Sequence, residues 1–172
     1  MKRLLSLLIV GCLILSMAGC SMLLYSSMST EDILKLPDDE MTIALLLQLG
    51  IESFEDLNDS QKVVYTAAAL EMEVLNGGMV QFLSNEADGC ASYVCEALEQ
   101  IGAADHLALL QDCLEKNAVD LTDLSDFVTD DMEVFSALYD QYDFESFDSC
   151  FEDMDSMPEL IRAYIQAHAQ DF

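Results

Sequence analysis

Apolar residues recur at intervals of three and four along most of the chain, and no stretch alternates apolar with polar residues as a half-buried strand would. Gly50, Gly77–Gly78, Gly102 and Pro158 interrupt this pattern. The spacing therefore predicts an all-α protein with a single compact, bundle-like domain. The predicted helices cover residues 38–49, 58–78, 79–84, 88–101, 105–117, 131–142, 144–154 and 158–169.

For three of the predicted helices, the sequence also indicates an apolar face or a neighbouring helix. The long helix starts at the capping residues Asn58–Ser60. Its apolar face comprises Val63, Val64, Ala67, Leu70, Val74 and Leu75. Helices 88–101 and 105–117 are joined by a short turn, so we expect them to form an antiparallel hairpin.

The first residues have the pattern of an export signal. Lys2 and Arg3 precede an apolar stretch, and the small residues Ala18 and Gly19 precede Cys20. The segment resembles a bacterial lipobox, in which the cysteine is lipidated and becomes the new N-terminus. It predicts a lipoprotein signal peptide at 1–19, a tether at 20–30 and a domain at 31–172, held outside the cytoplasm on the cell membrane by lipid on Cys20. The alternatives are an uncleaved anchor and an ordinary signal peptide.

The charge of the chain restricts its possible functions and says little about its fold. The chain has 33 Asp and Glu against 6 Lys and Arg, a formal net charge of −27. Because 52% of the residues are hydrophobic, the chain is not a disordered acidic tail. Direct binding to nucleic acid is excluded, since it needs basic residues to neutralise phosphates. Loss of residues 1–19 would remove two basic residues and no acid.

A motif in the middle of the chain carries a family resemblance. Its elements are Glu73, Asn76, Gly77, Gly78, Gln81, Phe82 and Asn85, followed by Ile101 and Gly102. With this spacing, residues 60–170 resemble the bacterial DNA-mimic protein family. The resemblance implies an all-α, strongly acidic and often dimeric protein. The best-known member presents carboxylates, arranged like DNA phosphates, to a DNA-binding transcription factor.

The motif also has a structural interpretation from its residue types. Asn76, Gly77 and Gly78 suit the end of a helix, where Asn and Gly tolerate a left-handed backbone. Gln81 and Asn85 would satisfy backbone groups around that turn, while Phe82 packs inward. The functional alternative is a polar pocket, with Glu73 as the ionisable partner of the two amides.

Acidic residues are densest between residues 120 and 155, and no basic residue occurs between Lys116 and Arg162. Apolar residues are interleaved at helical spacing, so the acids are expected on the outer face of packed helices. If wholly helical, the segment would extend about 54 Å, or one carboxylate per about 4 Å. Duplex DNA carries one charge per about 1.7 Å, so two such faces side by side would come close. The predicted acidic face comprises Asp123, Asp126, Asp130, Asp131, Glu133, Asp140, Asp143, Glu145, Asp148, Glu152 and Asp153.

Three interpretations of this acidic face stay open. The first is a non-enzymatic surface that binds a basic protein or peptide outside the cytoplasm. The second is an acid-coated structural module of the envelope that has no specific partner and is kept soluble by its charge. The third is a true DNA mimic that inhibits a DNA-binding protein, if the chain is not exported. A specific metal site has little support because the residue pattern of a calcium-binding loop is absent.

The remaining candidate residues give no enzyme signature. His106 and His168 each stand alone, and no catalytic triad, zinc motif or phosphate loop occurs, so we expect no enzyme and no cofactor. Cys95 and Cys113 lie near the same level of the predicted hairpin and are the candidate disulfide pair in an oxidising compartment. The alternative is that Cys90, Cys95, Cys113 and Cys150 are small buried apolar residues.

Overall fold

Helices dominate the part of the chain that the computed structural model describes, namely residue 25 and residues 27–86, 89–129 and 131–172. Those residues contain no strand, and the all-α prediction is confirmed. The predicted signal peptide and Cys20 lie outside them. The helices are α1 (Thr30–Ile33), α2 (Asp38–Leu49), α3 (Asp59–Asn85), α4 (Val94–Ile101), α5 (Ala104–Asn117), α6 (Met132–Gln141), α7 (Glu145–Glu152) and α8 (Pro158–Ala167).

The long helix α3 is the centre of the domain. It contacts α2, α4, α6, α7 and α8. The four consecutive residues Ala67, Ala68, Ala69 and Leu70 are all buried, as expected of a helix that is enclosed on every side. The apolar face predicted for it was wrong at one position, because Leu75 is 51% exposed.

The start of α3 follows from its sequence. Asn58 accepts a hydrogen bond from the Gln61 backbone N–H at 2.9 Å, and the Gln61 side chain accepts one from the Asn58 N–H at 3.1 Å. This is a capping box, which satisfies two backbone donors that the helix cannot pair itself. The predicted cap is confirmed. Asp171 also binds here, since the Asn58 and Ser60 side chains donate to it at 2.8 and 2.7 Å.

A kink divides α3 at the two glycines where the sequence predicts a helix end. Gly77 has φ −155° and ψ 22°, and Gly78 has φ 75° and ψ −177°. The Gly78 conformation is accessible almost exclusively to glycine. A Cβ atom at Gly78 would also lie 2.9 Å from Cγ of Asp148, a residue of α7. The kink therefore needs glycine both for its backbone conformation and for the close approach of α7.

The α4–α5 pair follows α3 and is joined by a turn at Gly102. Gly102 adopts the left-handed conformation (φ 78°, ψ 22°), and its N–H bonds back to the last turn of α4. The helix itself begins at Val94, after a 3₁₀ turn over Ala91–Tyr93, so the prediction of a helix from residue 88 was wrong in its start. The predicted cap Asp88 lies outside the described residues.

Arg162 joins the last helix to the first two. Its guanidinium donates to the backbone carbonyl oxygens of Leu34 and Leu36 and pairs with the Asp38 carboxylate at 2.8 Å. Only 17% of its side chain is exposed. Arg162 therefore fixes α8 against the loop between α1 and α2.

We expect Gly78→Ala to lower the free energy of unfolding by about 2–4 kcal/mol, because it strains the backbone and displaces the Asp148 carboxylate. Gly102→Ala is the matched control, since it also places alanine at positive φ but meets no atom within 4 Å. That control should lose about 1 kcal/mol. Urea unfolding of the two variants measures the difference, and equal losses would contradict the role given to the kink.

Candidate functional site

The kink in α3 brings three residues of the central motif together. Gln81 Nε2 and Asn85 Nδ2 donate to the same oxygen of Glu73, Oε2, at 2.6 and 2.8 Å. Glu73 is 8% exposed. Its carboxylate thus binds both amides across the break in the helix and stabilises the kink. Glu73, Gln81 and Asn85 together form this clamp.

The two glycines make room for this clamp. A Cβ atom at Gly77 would lie 2.7 Å from Cδ of Gln81, so the Gln81 side chain can fold over the turn only because Gly77 has none. The other motif residues are structural in their placement. Phe82 is fully buried, Ile101 is buried at the end of α4, and Asn76 is exposed before the kink.

Two residues of the acidic segment, which spans residues 120–155, also contact this kink. Asp148 Oδ1 accepts a hydrogen bond from the Met79 backbone N–H at 2.8 Å. The Tyr139 hydroxyl donates to the Gly77 carbonyl oxygen at 2.8 Å. These contacts satisfy backbone groups that the interrupted helix leaves without helical partners, and they attach α6 and α7 to α3.

Asp148 consequently differs from the other members of the predicted acidic face. It is half-buried, and burial raises the pKa of its carboxyl group above the ordinary value although the Met79 N–H partly opposes this. Its role in the structure is to cap the second part of α3. The predicted member Asp130 lies outside the described residues.

The other described acids of the face are exposed on the outer side of the acidic segment. They are Asp123, Asp126, Asp131, Glu133, Asp140, Asp143, Glu145, Glu152 and Asp153. Asp131 also caps α6 by accepting from the Glu133 N–H at 2.8 Å. Asp143 pairs with Lys116 at 2.7 Å, in an ion pair that is itself exposed. Among the described residues, Lys116 is the basic partner that the structure gives to this face.

Three aromatic rings of the same segment pack against one another. The rings of Phe127, Tyr142 and Phe144 are stacked, with the Phe127 and Tyr142 centroids 4.8 Å apart and the Tyr142 and Phe144 centroids 5.4 Å apart. Leu124 and Leu138, from the same segment, are also buried in the core. Of the exposed acids of the face, Glu133, Asp140, Glu145 and Glu152 lie on α6 and α7, as the interleaved apolar residues predict. The prediction was wrong for the others, because Asp123, Asp126, Asp131, Asp143 and Asp153 lie outside the helices.

Comparison with known proteins identifies the family. Residues 55–168, which include both the kink and the acidic segment, match the family described as DMP19-like protein. The chain belongs to this family. It is the DNA-mimic family whose motif the sequence resembles. No curated protein and no solved structure matches the chain.

In this DMP19-like chain, the cysteines and His106 have ordinary structural surroundings. The four described cysteines are free thiols, so the Cys95–Cys113 pair is not bonded in this structure. His106 packs edge-on against Phe151, and burial lowers its pKa. No cluster of three potential metal ligands occurs among the residues that the structure describes. Within the same residues, no helix is both long and apolar enough to span a membrane.

The sequence pattern did not mark two acids that leave the solvent, namely Glu71, which is buried, and Glu86, which is half-buried. Glu71 Oε1 accepts a hydrogen bond from the Met157 N–H at 3.1 Å, while Oε2 has no hydrogen-bond partner among the described residues. Glu86 accepts a hydrogen bond from the Cys90 thiol at 3.2 Å. Burial raises the pKa of both carboxyl groups. Nothing in the local pattern marks them, because α3 is enclosed on faces that the sequence leaves polar.

The buried carboxyl group of Glu71 should make the free energy of unfolding depend on pH. Because its pKa is raised in the folded state, the folded protein binds the proton more tightly than the unfolded chain does. Lowering the pH through that raised pKa therefore stabilises the wild type. Glu71→Gln keeps an acceptor for the Met157 N–H but cannot titrate. The free energy of unfolding of Glu71→Gln, minus that of the wild type, should thus be larger at pH 7 than at about pH 5.

Urea unfolding at several pH values measures this difference. Glu52→Gln is the matched control, because it makes the same substitution at an exposed position. A Glu71→Gln difference that varies with pH no more than the difference of this control would contradict the raised pKa of Glu71.

Proposed function

We propose that this DMP19-like protein is a non-enzymatic binding protein that uses its acidic face to bind a basic protein or peptide. The observation that carries the proposal is the exposure of the acids together with the shortage of basic neighbours. Of the described acids in the face, Asp143 has a basic partner, and that pair is itself exposed to solvent. The other exposed carboxylates there are left to attract cations from outside.

Membership of a DNA-mimic family supports a partner that itself binds DNA. The surface of such a partner is basic because it neutralises phosphates. Carboxylates on a fixed base can compete for that surface. The stacked rings of Phe127, Tyr142 and Phe144 contribute to such a base, because they pack the loop before α6 against the residues between α6 and α7. Association of this type is fast and weakens with salt.

The geometry also favours binding over a purely solubilising coat. Tyr139 and Asp148 attach α6 and α7 to the kink, so the exposed acids on these helices are held at set positions. A solubilising coat needs only charge, whereas a binding surface needs charges in a fixed arrangement.

Charge reversal separates specific binding from net charge. We expect Asp126, Glu133 and Asp140 changed together to Lys to weaken binding of a purified histone, the probe for a basic DNA-binding protein, by about tenfold or more at low salt. All three side chains are exposed, so the fold should tolerate the changes. Fluorescence anisotropy at about 50 mM and about 500 mM salt measures the affinity and its salt dependence.

The matched control changes Glu52, Glu55 and Glu99 to Lys. These acids are exposed outside the acidic face, and the net charge changes by the same amount. If both triple variants lose affinity equally, the acids act only through net charge and the structural-module interpretation replaces the binding proposal. Duplex DNA should compete with the wild-type protein for the histone.

The location of the chain decides which basic partners it can reach, and we propose export with lipidation at Cys20. Labelling of cells with radioactive palmitate should mark the wild type and not Cys20→Ala. Absence of label in both would contradict lipidation and leave an uncleaved anchor, an ordinary signal peptide or a chain that is not exported. True DNA mimicry applies in the last case, where a DNA-binding protein is the accessible partner.

A further inference from the structure

A groove between α2 and α3 combines exposed apolar side chains with a buried acid. It encloses about 430 Å³ and shares no residue with the acidic face. Its apolar walls include Ile43, Met72 and Leu75, which are 44%, 38% and 51% exposed. Large apolar side chains gathered on one surface are typical of an interaction site.

Glu71 lines the same groove. The residue is only 5% exposed, and its Oε2 atom makes no hydrogen bond to the described part of the chain. A buried carboxylate oxygen without a donor is unfavourable, so a ligand that brings a donor gains by pairing with it. The groove therefore favours a ligand that has a hydrogen-bond donor as well as apolar groups.

The negative charge around the groove favours a positively charged hydrogen-bond donor. Asp38 and Asp39 join Glu71 in the lining, and none of the described lining residues is basic. Arg162 pairs with Asp38, which leaves Asp39 and Glu71 as the lining acids to which the described residues give no basic partner. A cation on a long apolar stem fits this combination, because the stem can lie on Met72 and Leu75 while the charged end reaches the carboxylates.

We propose that this α2–α3 groove binds a cationic amphipathic helix of a protein partner. Apolar side chains of that helix pack on Ile43, Met72 and Leu75, and a Lys or Arg beside them donates to Glu71 and Asp39. The site is separate from the acidic face, with which it shares no lining residue. A partner that engages both surfaces would bind more tightly than either surface allows.

The test uses a synthetic helical peptide of about 18 residues with leucines on one face and lysines on the other. A scrambled peptide of the same composition keeps the charge and loses the apolar face. Fluorescence anisotropy at about 0.15 M salt measures the affinity. Ile43→Ser with Leu75→Ser should weaken binding of the helical peptide by about tenfold or more. Ile51→Ser with Val128→Ser is the matched control, since both residues are exposed outside the groove.

Glu71→Gln tests the polar half of the site. It should weaken the helical peptide by about tenfold, because a charge-assisted hydrogen bond is replaced by a neutral one. Glu52→Gln removes the same charge from an exposed position and should leave the affinity within about twofold. Wild type and all four variants should bind the scrambled peptide equally and more weakly.

Three results would overturn the proposal. One is that both serine pairs bind the helical peptide like the wild type. Another is that the peptide loses affinity for the acidic-face variant (Asp126, Glu133 and Asp140 to Lys) but not for the groove variants, which would assign it to the acidic face. The third is that sedimentation shows a wild-type dimer that Ile43→Ser with Leu75→Ser converts to a monomer, since the groove is then covered by a second copy.

Discussion

The hydrogen bond from the Met79 N–H to Asp148 holds the domain together at the point where its central helix is interrupted. The kink at Gly77–Gly78 creates a helix start inside the protein, and a buried N–H there needs an acceptor. That acceptor comes from 69 residues further along the chain. Docking of α7 is thereby coupled to the shape of α3, and the hydroxyl of Tyr139 couples α6 to the same turn.

This arrangement explains how so acidic a chain keeps a packed core. Most of its carboxylates stay in water, and the buried ones accept hydrogen bonds. Glu73 binds two amides, Glu71 a backbone N–H and Asp148 another. Burying a charge without such partners would cost several kcal/mol, so these acids are tolerated because the kink and the helix ends supply donors.

The basic residues reinforce this division of roles. Lys35 pairs with Glu31 and Asp32, Arg162 with Asp38, and Lys116 with Asp143. Each of these cations is thus already paired with an acid. Of these pairs, the one between Lys116 and Asp143 involves the acidic face, so most of the acids of that face are not neutralised. The acidic face therefore keeps its negative electrostatic potential. The α2–α3 groove consists of other residues and provides apolar contacts.

The sequence by itself determined the features that depend on neighbours a few residues apart. The Asn58 capping box, the end of α4 at Gly102, the break at Gly77–Gly78 and the all-α class all follow from local hydrogen bonds and backbone freedom. Only the tertiary structure decided which acid of the segment turns inward, that Glu71 is buried and that Leu75 is exposed. Asp148 resembles its acidic neighbours in sequence, and its role arises because packing places it opposite a helix start. Burial depends on what surrounds a residue, and distant parts of the chain supply those surroundings.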